Sequence, residues 1–222
     1  IPPDCEGWQF AARWRTARQV GGDFYDVIEL SGGKIGLFIA DVADKGMPAA
    51  LFMALTRTLL RAAAVEMPSP LETLRRVNDR LLPDTQQGMF VTAVYGVLDV
   101  ESGAFTYVNA GHNPPFWVKA NGSLKKLTRT AIALGVSEQE GMRQNFILLE
   151  RGDFLLFYTD GLTEAFSPGG ELFGDERLAQ ALSAAGHCPA DQVLAKVEED
   201  INGFIETVPL GDDLTMLGVK RN

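Results

Sequence analysis

Two apolar runs, Phe24 to Leu30 and Lys34 to Val42, are separated only by Ser31-Gly32-Gly33. Three small residues of this kind form a hairpin turn, and they leave no room for the crossover that a parallel pair needs. The two runs are therefore expected to pair antiparallel. The same pattern recurs along the chain. Phe90 to Val100 and Ala104 to Asn109 flank Glu101-Ser102-Gly103, and Pro115 to Lys119 and Leu124 to Leu127 flank Asn121-Gly122. Arg143 to Leu149 and Phe154 to Tyr158 flank Arg151-Gly152-Asp153 and read as a further hairpin. Trp8, Phe10, Ala12 and Trp14 alternate with Gln9, Ala11 and Arg13, the two-residue period of a half-buried strand. Leu214 to Lys220 reads as a closing strand.

Helical signals come in pairs. Pro48 sits at a first helical turn and opens an Ala-, Leu- and Met-rich stretch over Ala49 to Val65. Ser69-Pro70 starts a second helix, with Leu71, Leu74, Val77 and Leu81 on one face. Asp175 to Ala185 and Asp191 to Ile205 form a later pair. Hairpin-linked strands with paired helices predict an α+β protein with antiparallel sheets, not an alternating βαβ fold. At 222 residues the chain suits one large domain or two small ones, and 46% hydrophobic with 22% charged residues is a globular balance. No apolar run reaches the roughly 18 residues of a membrane span. The N-terminus lacks a basic region followed by an apolar one, so no signal peptide is expected. It reads as the edge of a single domain cut from a longer protein.

The formal net charge is -9, from 29 acidic and 20 basic residues. That balance argues against a nucleic-acid partner, since no overall positive field holds phosphates. An acidic chain that handles a phosphorylated substrate needs another source of positive charge, and bound metal cations are the obvious one. Cys5 and Cys188 are far apart and outside any CxxC arrangement, which fits a reducing, cytoplasmic setting.

Four acidic positions lie at the ends of strand runs beside glycine or a turn: Asp23, Asp41, Asp160, and Asp212 with Asp213. Asp41 follows Gly36 to Ala40, and Asp160 closely follows Phe154 to Tyr158. A carboxylate at the end of an apolar strand is strongly desolvated unless it is paired or coordinates a cation. An all-oxygen ligand set selects hard ions such as Mg²⁺ or Mn²⁺. An Asp-Gly pair alone is usually a turn. The joint pattern is what carries specificity.

Six segments appear in order: Val20-Gly-Gly-Asp-Phe-Tyr-Asp26, Ala40-Asp-Val-Ala-Asp-Lys-Gly-Met-Pro-Ala-Ala50, Phe90-Val-Thr-Ala, Asn109-Ala-Gly-His-Asn-Pro-Pro115, Tyr158-Thr-Asp-Gly-Leu-Thr-Glu-Ala165 and Asp212-Asp-Leu-Thr215. Together they resemble the bacterial RsbU/SpoIIE-type branch of the metal-dependent protein phosphatases (PPM, type 2C), from about Trp8 to Val219. The resemblance implies a four-layer α/β/β/α sandwich of two antiparallel β-sheets flanked by helix pairs. It implies two divalent cations, Mn²⁺ or Mg²⁺. Asp23 matches a ligand of one metal, and Asp41 the aspartate that bridges both. The Val42 carbonyl matches a further ligand, and Asp160 and Asp212, with Asp213 beside it, match the second metal's ligands. The implied activity is hydrolysis of phosphoserine or phosphothreonine on a protein, by direct attack of water held between two cations about 3.5–4 Å apart. The implied partners are a phosphorylated anti-sigma-factor antagonist of the STAS type, an upstream sensor domain in the same chain, and a second copy. No membrane contact is expected from this domain.

The chain departs from the better-known eukaryotic pattern, where Gly-His-Gly follows the bridging aspartate. Here Val42-Ala43-Asp44 follows, so leaving-group protonation falls to a metal-bound water or another group. No arginine near the N-terminus stands out as a phosphate anchor; Arg13, Arg15 and Arg18 read as solvated strand or loop residues. His112 reads as a turn residue, His187 as a helix-end surface residue, and Lys45 as solvated or paired with a nearby Asp. Ser31-Gly32-Gly33-Lys34 lacks P-loop spacing. The Met and Leu of Leu51 to Leu55 read as core-facing. Two other function classes compete: a catalytically silent phosphatase-like binding module, and a metal-dependent hydrolase of small phosphate esters.

Overall fold

The computed structural model describes residues 5–17, 20–67, 69–85 and 88–222. These divide into two compact units, each built around a five-stranded antiparallel sheet. The first unit holds Val20–His112 and Thr128–Leu148, and the remaining described residues form the second.

In the first unit the expected hairpin forms from β2 (Phe24–Leu30) and β3 (Lys34–Val42). Gly32 and Gly33 turn it with φ of 72° and 67°, a left-handed conformation that glycine adopts without strain. The sheet order is β2-β3-β4-β5-β8, with β4 at Val91–Asp99, β5 at Ala104–Ala110 and β8 at Asn145–Leu148. Helices α1 (Met47–Glu66) and α2 (Pro70–Leu81) lie on one face of this sheet. Phe52, Leu60, Leu74 and Val77 from the helices share a buried cluster with Phe38, Tyr95 and Val108 from the strands. Each fully buried side chain of this size contributes about 1.5–3 kcal/mol. Phe24 meets Phe38 edge-on at 5.4 Å. Gly96 lets β4 pass beneath Phe105, since a Cβ there would stand 2.2 Å from the ring.

Helix α1 is long and apolar enough to cross a membrane by length and composition, although Arg57 and Arg61 interrupt its apolar run. Its contacts assign it elsewhere: Phe52, Leu60, Ala63 and Ala64 are buried against the sheet. Arg57 and Arg61 both pair with Asp26 of β2. The reading of the Leu51–Leu55 stretch as core-facing needs correction. Phe52 is buried, but Leu51 is 66% exposed and Leu55 38%. A helix apolar on more than one side can bury only the stripe that meets the sheet.

The second unit has the order β1-β10-β9-β6-β7, with β1 at Trp8–Arg15, β6 at Phe116–Val118, β7 at Leu124–Lys126, β9 at Phe154–Tyr158 and β10 at Leu214–Arg221. Helices α4 (Gly174–Ala185) and α5 (Ala190–Ile205) pack on it through Leu178, Leu182, Val193, Leu194 and Ile201. The hairpin expected across Arg151-Gly152-Asp153 does not form, because β8 and β9 belong to different sheets. The turn itself exists: Asp153 donates its N–H to the Glu150 carbonyl, and its carboxylate accepts Glu150 N–H, Trp117 Nε1–H and Ala120 N–H. Gly152 N–H is held by the Arg221 carbonyl, which ties the turn to β10. Otherwise the α+β architecture of antiparallel sheets with paired helices is the one observed.

Candidate active site

In the first unit, register brings the acidic residues together. Phe24 pairs with Ala40 across β2 and β3. Continued by one residue, that register sets Asp23 opposite Asp41. Gly22 stands against the next step: a Cβ on it would lie 3.2 Å from the Val42 carbonyl oxygen and 3.6 Å from Asp41 Oδ1. Two oxygens thus lie close to the Gly22 backbone, with Asp23 buried beside it. On its other side Asp41 pairs with Thr92 of β4. The Thr92 hydroxyl and His112 Nδ1 are 2.8 Å apart, and His112 N–H donates to Asn109 Oδ1 at 2.9 Å. Buried His112 therefore has a turn role, as the sequence suggests, and it also fixes Asp41's neighbour across the strands. Lys45 is exposed, and its N–H donates to Asp44 Oδ1 at 2.7 Å.

In the second unit, β9 ends at Tyr158 and a four-residue helix, α3 (Asp160–Thr163), begins at Asp160. No local signal in the sequence announces this helix. Thr159 N–H donates to the Thr215 carbonyl, and Thr215 N–H donates to Thr159 Oγ1 at 3.0 Å. These bonds hold Asp160 beside the start of β10. Gly161 approaches so closely that a Cβ would stand 2.0 Å from the Asp213 carbonyl oxygen. Asp160 is thereby brought to the Asp212-Asp213 segment. The two acids of that segment then differ. Asp213 is buried and its Oδ1 accepts Ala17 N–H at 2.9 Å, whereas Asp212 is half-buried and its Oδ1 accepts Asp213 N–H at 2.8 Å. Each of the two carboxylates thus accepts one backbone N–H, and they differ in burial.

The donor set is all oxygen, in two groups: Asp23, Asp41 and the Val42 carbonyl in one unit, Asp160, Asp212 and Asp213 in the other. Carboxylate and carbonyl oxygens suit hard divalent cations. Among the described residues no cluster of three or more His, Cys, Asp and Glu side chains has metal-holding geometry. The fit therefore rests on paired acids and a backbone carbonyl. Of the N-terminal arginines, Arg13 pairs with Asp191 and Glu198, and Arg15 donates to Asn202 Oδ1. Arg18 lies outside the described residues. His187 is exposed just past α4, as expected. The sequence reading missed Thr92 and Thr159 as supports, although both lie in segments it singled out.

This fold is the one seen in PP2C-type phosphatase domains. The chain belongs to the SpoIIE family: the family model described as stage II sporulation protein E matches residues 31–222. The protein IcfG of Synechocystis is 33% identical over 247 residues, covering 99% of this chain and 39% of that protein. The phosphoserine phosphatase RsbU of Bacillus subtilis is 28% identical over 220 residues, covering 99% of this chain and 65% of its own. The chain thus spans less than two thirds of either relative. Among solved structures, the SiaA-PP2C domain of Pseudomonas aeruginosa superposes with a TM-score of 0.86 at 22% identity, over 96% of this chain and 86% of that one. The catalytic domain of the phosphatase PstP, in complex with two manganese ions, does so at 0.66 and 18% identity, over 96% and 97%. Both show the fold.

Proposed function

We propose that this chain is a single phosphatase domain of a longer protein. It hydrolyses phosphoserine or phosphothreonine on a regulatory protein and depends on two divalent cations, Mn²⁺ or Mg²⁺. The observation that carries the reading is the pair of glycine approaches. Gly22 sets its backbone against the Val42 carbonyl and Asp41 Oδ1, and Gly161 sets Asp160 beside the Asp212-Asp213 segment. The likeness to RsbU supports the activity, and the manganese of PstP supports the cofactor.

Asp23, Asp41 and the Val42 carbonyl would hold one cation, and Asp160 and Asp212, with Asp213, the other. Bound there, the cations supply positive charge for the phosphoryl oxygens and acidify water for its attack. The chain's own residues fix the ligands in advance. Thr92 and His112 hold the strand beside Asp41, Thr159 and Thr215 lock the turn into Asp160, and Asp213 binds Ala17 N–H. Preorganised oxygens of this kind need no rearrangement during the reaction.

The substrate class in this reading is a phosphorylated anti-sigma-factor antagonist of the STAS type, in the cytoplasm; the likeness to RsbU and the separated cysteines support it. The exposed Met47, Leu51 and Leu55 of α1 offer an apolar stripe to a sensor domain of the same chain or to a second copy. Phosphate release from a phosphoserine protein should require added Mn²⁺ or Mg²⁺ and stop on addition of EDTA. Full release by chelated protein would overturn the reading.

A further inference from the structure

Near Asp41 the first unit presents exposed apolar side chains and one arginine on a rigid backbone. The Phe90 carbonyl accepts Ala43 N–H at 2.9 Å, two residues beyond Asp41, and the Phe90 side chain is 36% exposed. Val91 and Leu134 exchange both backbone hydrogen bonds, at 3.0 and 2.8 Å, so segment 129–137 runs beside the same end of β4. On that segment Ile132 is 51% exposed and Val136 54%.

Loops with this much exposure are usually mobile. This one is pinned by buried amides. Gln139 Nε2 donates to the Ile132 and Ala133 carbonyls at 3.2 and 2.9 Å. Asn78 of α2 accepts Gly135 N–H at 3.0 Å and donates to the Ser137 carbonyl at 3.1 Å. Thr130 and Ala131 N–H both reach the Asn109 carbonyl. Three apolar side chains are therefore displayed to solvent on a fixed frame, the preorganisation that lowers the entropy cost of binding.

Arg129 completes the surface. Its Nε donates to the His112 carbonyl at 3.1 Å, and among the described residues no carboxylate lies within ion-pair distance of it. Arg13, Arg57, Arg61, Arg76 and Arg177 have carboxylate partners, whereas Arg15 and Arg75, like Arg129, meet neutral ones, the Asn202 amide and the Met142 carbonyl. In a chain of net charge -9, an arginine tethered by one nitrogen and lacking a counter-ion is complementary to an acid on something else. A planar guanidinium suits a carboxylate bidentately.

We propose that Phe90, Ile132, Val136 and Arg129 form the seat for the phosphorylated partner protein, with Arg129 reading an acidic residue next to the phosphoserine. This rests on the phosphatase reading and adds the chemistry of its substrate: apolar residues and an acid flanking the phosphate. A small phosphate ester would leave this surface unused.

The test uses two short fluorescent phosphoserine peptides, each carrying leucines, with Asp flanking the phosphoserine in one and Asn in the other. Binding is read by anisotropy in EDTA, which separates docking from hydrolysis. The Asp peptide should bind the chain tighter by about fivefold or more, and R129E should remove that difference. Arg129→Gln, which can still donate to the His112 carbonyl, should do the same and guards against a folding defect in R129E. Ile132→Ser with Val136→Ser should weaken both peptides together. Equal affinity for the two peptides, or a preference that survives both Arg129 variants, would overturn the proposal. Mn²⁺-dependent hydrolysis of p-nitrophenyl phosphate, measured alongside, reports on the phosphatase reading separately.

Discussion

At Gly161 the chain has no room for one more carbon. The atom in the way, 2.0 Å from an added Cβ, is the backbone oxygen of Asp213, which cannot rotate aside. Gly161→Ala should therefore separate Asp160 from Asp212. It should cost about 1–3 kcal/mol of stability, read as a lower urea midpoint, and reduce phosphate release as well. An unchanged midpoint would show that the two segments part freely. The sequence shows the glycine but not its reason. Asp160-Gly161 reads as an ordinary turn, and the residue that demands the glycine lies some fifty positions on. Asp41 was more legible, because an acid ending a strand as apolar as β3 stands out. Asp41→Asn should leave the fold intact by circular dichroism and lower phosphate release about 100-fold or more.

Among the elements, β2 and β3 run over the residues the sequence predicts, because turn glycines and apolar runs specify the same hairpin. The failed β8–β9 hairpin has an equally physical cause. A strand, a tight turn and a strand look alike whether the strands pair or enter two sheets, and the choice is made by distant partners: Phe105 faces Ile147, and Leu155 faces Val219. Helix α4 ends on a cap that no local signal announces. Lys220 Nζ donates to the Gly186 and Cys188 carbonyls at 2.8 and 2.7 Å. Lys220→Met leaves both without that donor and should lower stability by about 1–3 kcal/mol in urea unfolding. Tyr95 of β4 gives a pH signature. Burial pushes its phenol up to about 12, with the hydroxyl of Thr73 on α2 opposing. An unfolded tyrosine ionises near pH 10. Between those values the unfolded chain gives up a proton that the folded one keeps, so stability falls as pH rises across that window. Tyr95→Phe should flatten the fall between about pH 10 and about pH 12. An unchanged slope would place its origin in another group.

Across the whole molecule, the acidic balance and the placement of the acids support one account. For a chain of net charge -9 to act on a phosphorylated protein, as proposed, cations are needed where its carboxylates gather. Those carboxylates gather in two groups, one in each unit, through glycine approaches whose partners are remote in sequence or across a sheet. The most direct test is calorimetric titration of the metal-free chain with Mn²⁺. The account predicts two ions per chain, with Asp41→Asn and Asp160→Asn each weakening or removing a site while the fold persists. A chain that takes up no Mn²⁺ at millimolar concentration, or whose uptake ignores both substitutions, would contradict it and favour a catalytically silent module.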